Sequence, residues 1–166
     1  MIDRKEFKEL NQELRTIGKN LVNTKDRIPS GLNRELIIGA NKIRNTVILS
    51  MKNTPKTGRY YRRGKSGKYH IASSPGNPPA IDYGELVRSI MFDVQDWEME
   101  VGSFGGAPYA PFLEEGTFGK SVGRSGGQIG NVAPRPFLAP AVEKHRQEII
   151  DAVGNAAFDV IKMGFK

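Results

Sequence analysis

Few groups in the chain could carry covalent chemistry. It holds two histidines, His70 and His145, and no cysteine. That composition excludes a thiolate nucleophile, a disulfide framework and any cysteine-ligated zinc or iron–sulfur centre, and it leaves too few imidazoles for a multi-histidine metal site. Serine, histidine and aspartate all occur, but only geometry makes a triad of them. His145 falls on an apolar helical stripe and is expected to be packed or interfacial rather than a base. His70 lies in a basic loop, where exposure is expected. Glu114 and Glu115 are adjacent rather than opposed across a cleft, so they suit an ionic contact better than general acid–base work. Gly119-Lys120-Ser121 matches the end of a phosphate-binding loop, but Glu114 stands where that loop requires its first glycine. These residues give no positive sign of an enzyme, and the reading is non-catalytic, with no cofactor and no metal.

Charge is the more informative chemistry. The chain of 166 residues carries a formal net charge of +7. Between Leu36 and Ile81 there is no acidic residue, and that stretch alone carries +9, so the rest of the chain is slightly acidic. Its core is Lys56, Arg59, Arg62, Arg63, Lys65 and Lys68, interleaved with Tyr60, Tyr61 and Tyr69. Bases mixed with aromatics suit phosphates and exposed nucleobases, or an acidic protein surface. No zinc finger, RNA-binding sheet signature or helix-turn-helix pattern accompanies them, so any nucleic-acid contact would lack sequence specificity.

The elements that must position these residues can be read from periodicity. Phe7, Leu10, Leu14, Ile17 and Leu21 are spaced 3, 4, 3 and 4, a helical stripe. The segment from Thr24 to Gly31, with Pro29 and Gly31, is expected to interrupt the chain. A second helix then runs to about Asn53 with Leu32, Leu36, Ala40, Ile43, Val47 and Met51 on one side, ended by Thr54-Pro55. Lys56 to Pro79 shows no sustained period and reads as a long irregular loop. Leu86 to Val94 and Trp97 to Gly102 read as two strands of a hairpin with Asp96 in the connection, and Trp97, Met99 and Val101 on the buried face. A second irregular region follows, with nine glycines between Gly102 and Gly130. A last helix opens at Pro136 or Phe137 and carries Leu138, Val142, His145, Ile149, Val153, Ala157 and Val160, with Gly164 just past its end. The sum is an α+β fold: long helices packed on a small antiparallel sheet, with two long irregular loops. The chain reads as one domain, residues 1–28 forming an N-terminal helical extension to a main unit of 29–166. No apolar run is long enough to cross a membrane and the N-terminus lacks a signal-peptide core, so a protein made in a reducing cytoplasm is expected.

Three stretches resemble one protein family. Ser74-Pro75-Gly76-Asn77-Pro78-Pro79-Ala80-Ile81-Asp82, followed by Gly84, Leu86, Arg88, Ser89 and Ile90, is similar to a Pro-Gly-x-Pro-Pro element leading into a Thr-Gly-x-Leu-x-x-Ser-Ile strand start. Tyr109-Ala110-Pro111-Phe112-Leu113-Glu114-Glu115-Gly116-Thr117 is similar to a Tyr-Ala-x-x-x-Glu-x-Gly-Thr segment. Pro134-Arg135-Pro136-Phe137-Leu138-Ala139-Pro140-Ala141 is similar to an Arg-Pro-Phe-Leu-x-Pro-Ala helix start. In this order and spacing, over about Leu32 to Lys162, they resemble the gene-product-ten-like family of phage HK ninety-seven, the small head–tail joining and tail-completion proteins of tailed bacteriophages.

The resemblance implies a structural virion protein of the neck or tail, assembled in the host bacterial cytoplasm. It implies a homo-oligomeric ring, expected to be a hexamer, acting as head–tail connector or tail terminator. Its partners would be the tail tube protein and the head-closure or adaptor proteins, with DNA passing through the lumen. Tyr109, Glu114, Glu115, Thr117 and Arg135 are then the candidate subunit or partner contacts, and Lys56, Arg59, Arg62, Arg63, Lys65 and Lys68 the candidates for meeting DNA or an acidic partner. The competing reading of the same charge pattern is a monomeric basic module that binds nucleic acid without specificity.

Overall fold

Six apolar residues recurring every three or four positions from Leu32 to Met51 give one helix a continuous dry edge, and the facing edge comes from Leu138, just before the last helix, and from Ala141, Val142, Ile149, Val153 and Ala157 on it. All twelve are buried. The computed structural model describes residues 4–21, 28–62, 69–117 and 132–164. Among these the order is α1 (Arg4–Leu21), α2 (Ile28–Asn53), β1 (Tyr60–Arg62), β2 (Tyr69–Ile71), α3 (Glu85–Ser89), β3 (Ile90–Gln95), β4 (Glu98–Ser103), α4 (Ala110–Glu115) and α5 (Ala139–Gly164). The protein is α+β: α2 packs along α5 and across β3 and β4, so the long helices lie on a small antiparallel sheet.

α2 begins at Ile28, so Pro29 lies in its first turn rather than interrupting it. The first amides of a helix have no intrahelical acceptor, and proline costs no bond there. α5 begins at Ala139, later than Pro136 or Phe137, and Gly164 is its last residue rather than lying past its end. The side chains of Phe137 and Leu138 are nonetheless fully in the core.

The strand expected over Leu86–Val94 is divided. Glu85–Ser89 is a short helix that starts behind Gly84 at φ 79°, and only Ile90–Gln95 is strand. β3 and β4 form the expected hairpin, with Val94 opposite Met99 and Phe92 opposite Val101. Met99 and Val101 are buried, but Trp97 is not on the strand. Asp96 and Trp97 form the two-residue turn, with φ of 46° and 70°. Two-residue hairpin turns favour positive φ because its twist matches that of the strands, yet a bulky residue there is strained by about 1–3 kcal/mol. The indole is held against α1, where a Cβ at Gly18 would lie 2.5 Å from Trp97 Cε3.

α1 is built into the same core. Leu10 and Leu14 are buried in it. The Asn11 side chain donates to Met99 O at 3.2 Å and accepts from Met99 N at 3.3 Å, closing that part of the outer edge of β4 as a neighbouring strand would. Arg146 reaches Glu13 at 2.7 Å and Arg15 pairs with Glu98.

The stretch from Lys56 to Pro79 is not wholly irregular. β1 and β2 form a separate antiparallel ribbon with Tyr61 opposite His70 and Arg62 opposite Tyr69. Its ladder extends beyond the strands through Ala72 N to Arg59 O and Gly58 N to Ala72 O.

Candidate functional site

The three stretches that carry the family resemblance are bound to one another. α4 ends at Gly116, whose φ of 75° lets the chain turn so tightly that a Cβ there would sit 2.6 Å from Val132 O. This turn places the Glu114 carboxylate under the start of α5. It accepts from the backbone N–H groups of Phe137 at 2.8 Å, Leu138 at 3.1 Å and Ala139 at 2.9 Å. Those donors point out of the helix start, where the backbone dipoles favour an anion. Next to them, Arg135 donates through its backbone N to Leu113 O at 2.6 Å, and through Nε to Ser73 O at 3.2 Å. Gly76 N donates to Pro134 O at 2.9 Å, which ties in the Pro-Gly stretch. Thr117 and Val132 clasp each other: Thr117 N donates to Val132 O, and Thr117 Oγ1 accepts from Val132 N, both at 2.9 Å.

Glu114 and Arg135 are each 6% exposed, and Thr117 is buried. Where the sequence suggested outward contacts, these three side chains are committed within the chain. Tyr109, 39% exposed, and the half-buried Glu115 are the members of the candidate set that reach the surface.

Beside this knot lies a groove of about 450 Å³, lined by Tyr61, His70, Tyr83, Leu86, Tyr109 and Leu113 among others. His70 Nδ1 is 3.5 Å from Asp82 Oδ1. Burial raises the Tyr109 phenol above its ordinary pKa, the nearby Glu85 carboxylate adds to the rise, and a backbone hydrogen bond at Leu86 opposes it. Ser73 is buried at the groove, and its hydroxyl has no hydrogen-bond partner among the described residues, so the His70–Asp82 couple does not extend to it. The spacing Gly-x-Ser-x-Gly occurs around Ser121 and Ser125, both outside the described residues.

The sequence reading missed the groove, although one signal for it was present. All five tyrosines of the chain, Tyr60, Tyr61, Tyr69, Tyr83 and Tyr109, are exposed on the ribbon or the groove. Tyrosine presents a large rigid apolar face with a polar tip at low entropic cost, which suits it to binding surfaces.

Of the basic candidates, Lys56 and Arg59 are exposed, and the Arg59 guanidinium lies 5.9 Å from the Tyr61 ring centroid. Arg62 ends β1, while Arg63, Lys65 and Lys68 fall outside the described residues, as does the Gly-rich stretch 118–131. His145 is packed between helices: Nε2 is 2.8 Å from Thr46 Oγ1 on α2, and Nδ1 is 3.2 Å from Glu148. Glu148 also accepts from Lys42, and hydrogen bonds from Lys42 and then His145 hold its carboxyl below the ordinary range. Among the described residues no three His, Asp or Glu side chains are grouped to hold a metal, and no helix is long and apolar enough to cross a membrane. Comparison with protein-family models, with curated proteins and with solved structures finds no match to this chain.

Proposed function

We propose that this chain is a structural component of a tailed-bacteriophage virion, a ring-forming neck or tail-completion protein that joins head and tail or terminates the tail. The observation that carries the reading is the mutual binding of three sequence stretches. The residues that resemble the family are far apart in sequence, yet Glu114, Arg135, Gly76 and Thr117 meet in one hydrogen-bonded knot. A resemblance arising by chance has no reason to gather at one place in the fold. The groove beside the knot and its exposed tyrosines provide a surface of the kind a neighbouring subunit or tail protein would cover. No catalytic step is assigned to it.

The second reading, a monomeric module binding nucleic acid without specificity, draws on the ribbon. Exposed Tyr60, Tyr61 and Tyr69 sit there with Lys56 and Arg59, the combination that stacks bases and meets phosphates. The two separate by copy number in purified particles of the phage that encodes the chain. Several equivalent copies per particle are expected. A single copy, or absence from mature particles, contradicts the ring reading.

A further inference from the structure

The outer face of the β3–β4 hairpin carries an unbalanced charge. From Ser89 to Gly119 the chain has six carboxylates and no lysine or arginine. Four of them, Asp93, Asp96, Glu98 and Glu100, belong to the hairpin. Ladder register sets Asp93 directly opposite Glu100. Like charges in that position weaken a hairpin. Both side chains are exposed, and neither has an ion pair among the described residues. A groove of about 330 Å³ runs beside them, with Phe7 and Lys8 of α1 on its far wall. Among the described residues Lys8 is the one lysine or arginine lining it, against three carboxylates, and Arg15 is already paired with Glu98.

The complementary surface is on the same chain but in a different sheet. Lys56 and Arg59 are exposed at the base of the β1–β2 ribbon and have no carboxylate partner among the described residues. Arg59 lies over the ring of Tyr61, 41% exposed, while the opposite ribbon face presents Tyr60 and Tyr69, 66% and 63% exposed. No ion pair joins ribbon to hairpin within one copy among the described residues. Two opposite charge surfaces that do not meet within a copy are the arrangement a head-to-tail contact between copies requires, the kind that repeats around a ring.

We propose that the basic ribbon of one copy seats on the acidic face of the β3–β4 hairpin of the next, through Lys56 and Arg59 with Tyr61 beside them. This rests on the ring reading and names the surfaces that build the ring. Exposed opposite charges steer association and are screened beyond roughly 8 Å at physiological salt, so assembly by this contact weakens as salt rises.

The test uses native mass measurement of the full chain at low and high salt. One variant reverses the ribbon (Lys56→Glu with Arg59→Glu) and another reverses the hairpin (Asp93→Lys with Glu100→Lys). Wild type is expected to associate at low salt, and each variant alone at least about tenfold more weakly. Mixed in equal amounts the two variants should assemble again, since each reversed surface then finds its complement, giving oligomers with equal numbers of both. That rescue also shows that each variant is folded. Wild-type association with unimpaired variants overturns the proposed surfaces and leaves the ring reading standing. A wild type that stays monomeric, alone and with tail tubes, overturns both. A reversed ribbon that assembles normally but loses DNA binding assigns the ribbon to nucleic acid and overturns the proposal.

Discussion

Glu114 shows how a side chain can be picked out by sequence while its partners within the chain stay hidden. A carboxylate preceding Gly-Thr with no basic neighbour in sequence suggests a cation on another surface. The structure satisfies it with three backbone amides 23 to 25 residues away. Backbone donors at a helix start leave no mark on composition, so this partnership was not legible. We predict that Glu114→Ala lowers the free energy of unfolding by about 1.5–3 kcal/mol in urea denaturation, the range for hydrogen bonds to a charged group. Glu114→Gln, which keeps an acceptor but loses the charge, should cost less. A second prediction concerns Glu148, whose carboxyl Lys42 and His145 hold low. A depressed carboxyl contributes stability above its unfolded pKa, near 4.3, and loses that contribution as pH falls through its lower folded value. Wild type should therefore melt above Glu148→Gln at pH 7, and the gap between the two should narrow steadily as pH falls below the unfolded value. A gap that does not narrow with acid would show that packing, not ionisation, is at work there.

At the level of elements, the long helices were legible because burial alone fixes their pattern: Leu36, Ile43 and Val47 on α2 share one core with Val142, Ile149 and Val153 on α5. The short segments were not. Leu86 to Val94 has the apolar content of a strand, but Gly84 in the left-handed region re-aims the chain into one turn of helix before β3 begins. The ribbon arms, three residues each, are too short to show a period. Trp97 fits a buried strand position by alternation, and only its positive φ places it in the turn. Its ring links the hairpin to α1, which reads as an added extension and yet buries Leu10 and Leu14 in the common core. Gly18→Ala should push the indole off α1, because the new Cβ would overlap it. Trp97 is the only tryptophan in the chain, so its fluorescence should shift to the red, with a loss of about 1–3 kcal/mol typical of overpacking. Unchanged emission and stability would mean that α1 does not rest on the hairpin in this way.

For the whole molecule, what the sequence shows is a separation of charge: nine positive charges between Leu36 and Ile81, six carboxylates between Ser89 and Gly119. Folding leaves part of each set outward, on two different sheets. A molecule built this way should associate with itself more readily in dilute buffer than in salt, and the ribbon and hairpin reversals should each abolish that preference. The three family-like stretches were legible one by one; their gathering beside a tyrosine-lined groove required the fold. The proposed ring is tested most directly by the native mass of the full chain, alone and after incubation with phage tail tubes. The expected result is a discrete multiple of the 18.4 kDa chain, sixfold on the resemblance, present on the tubes and dispersed by salt. A species of one chain mass under both conditions, with no chain retained on the tubes, would contradict it.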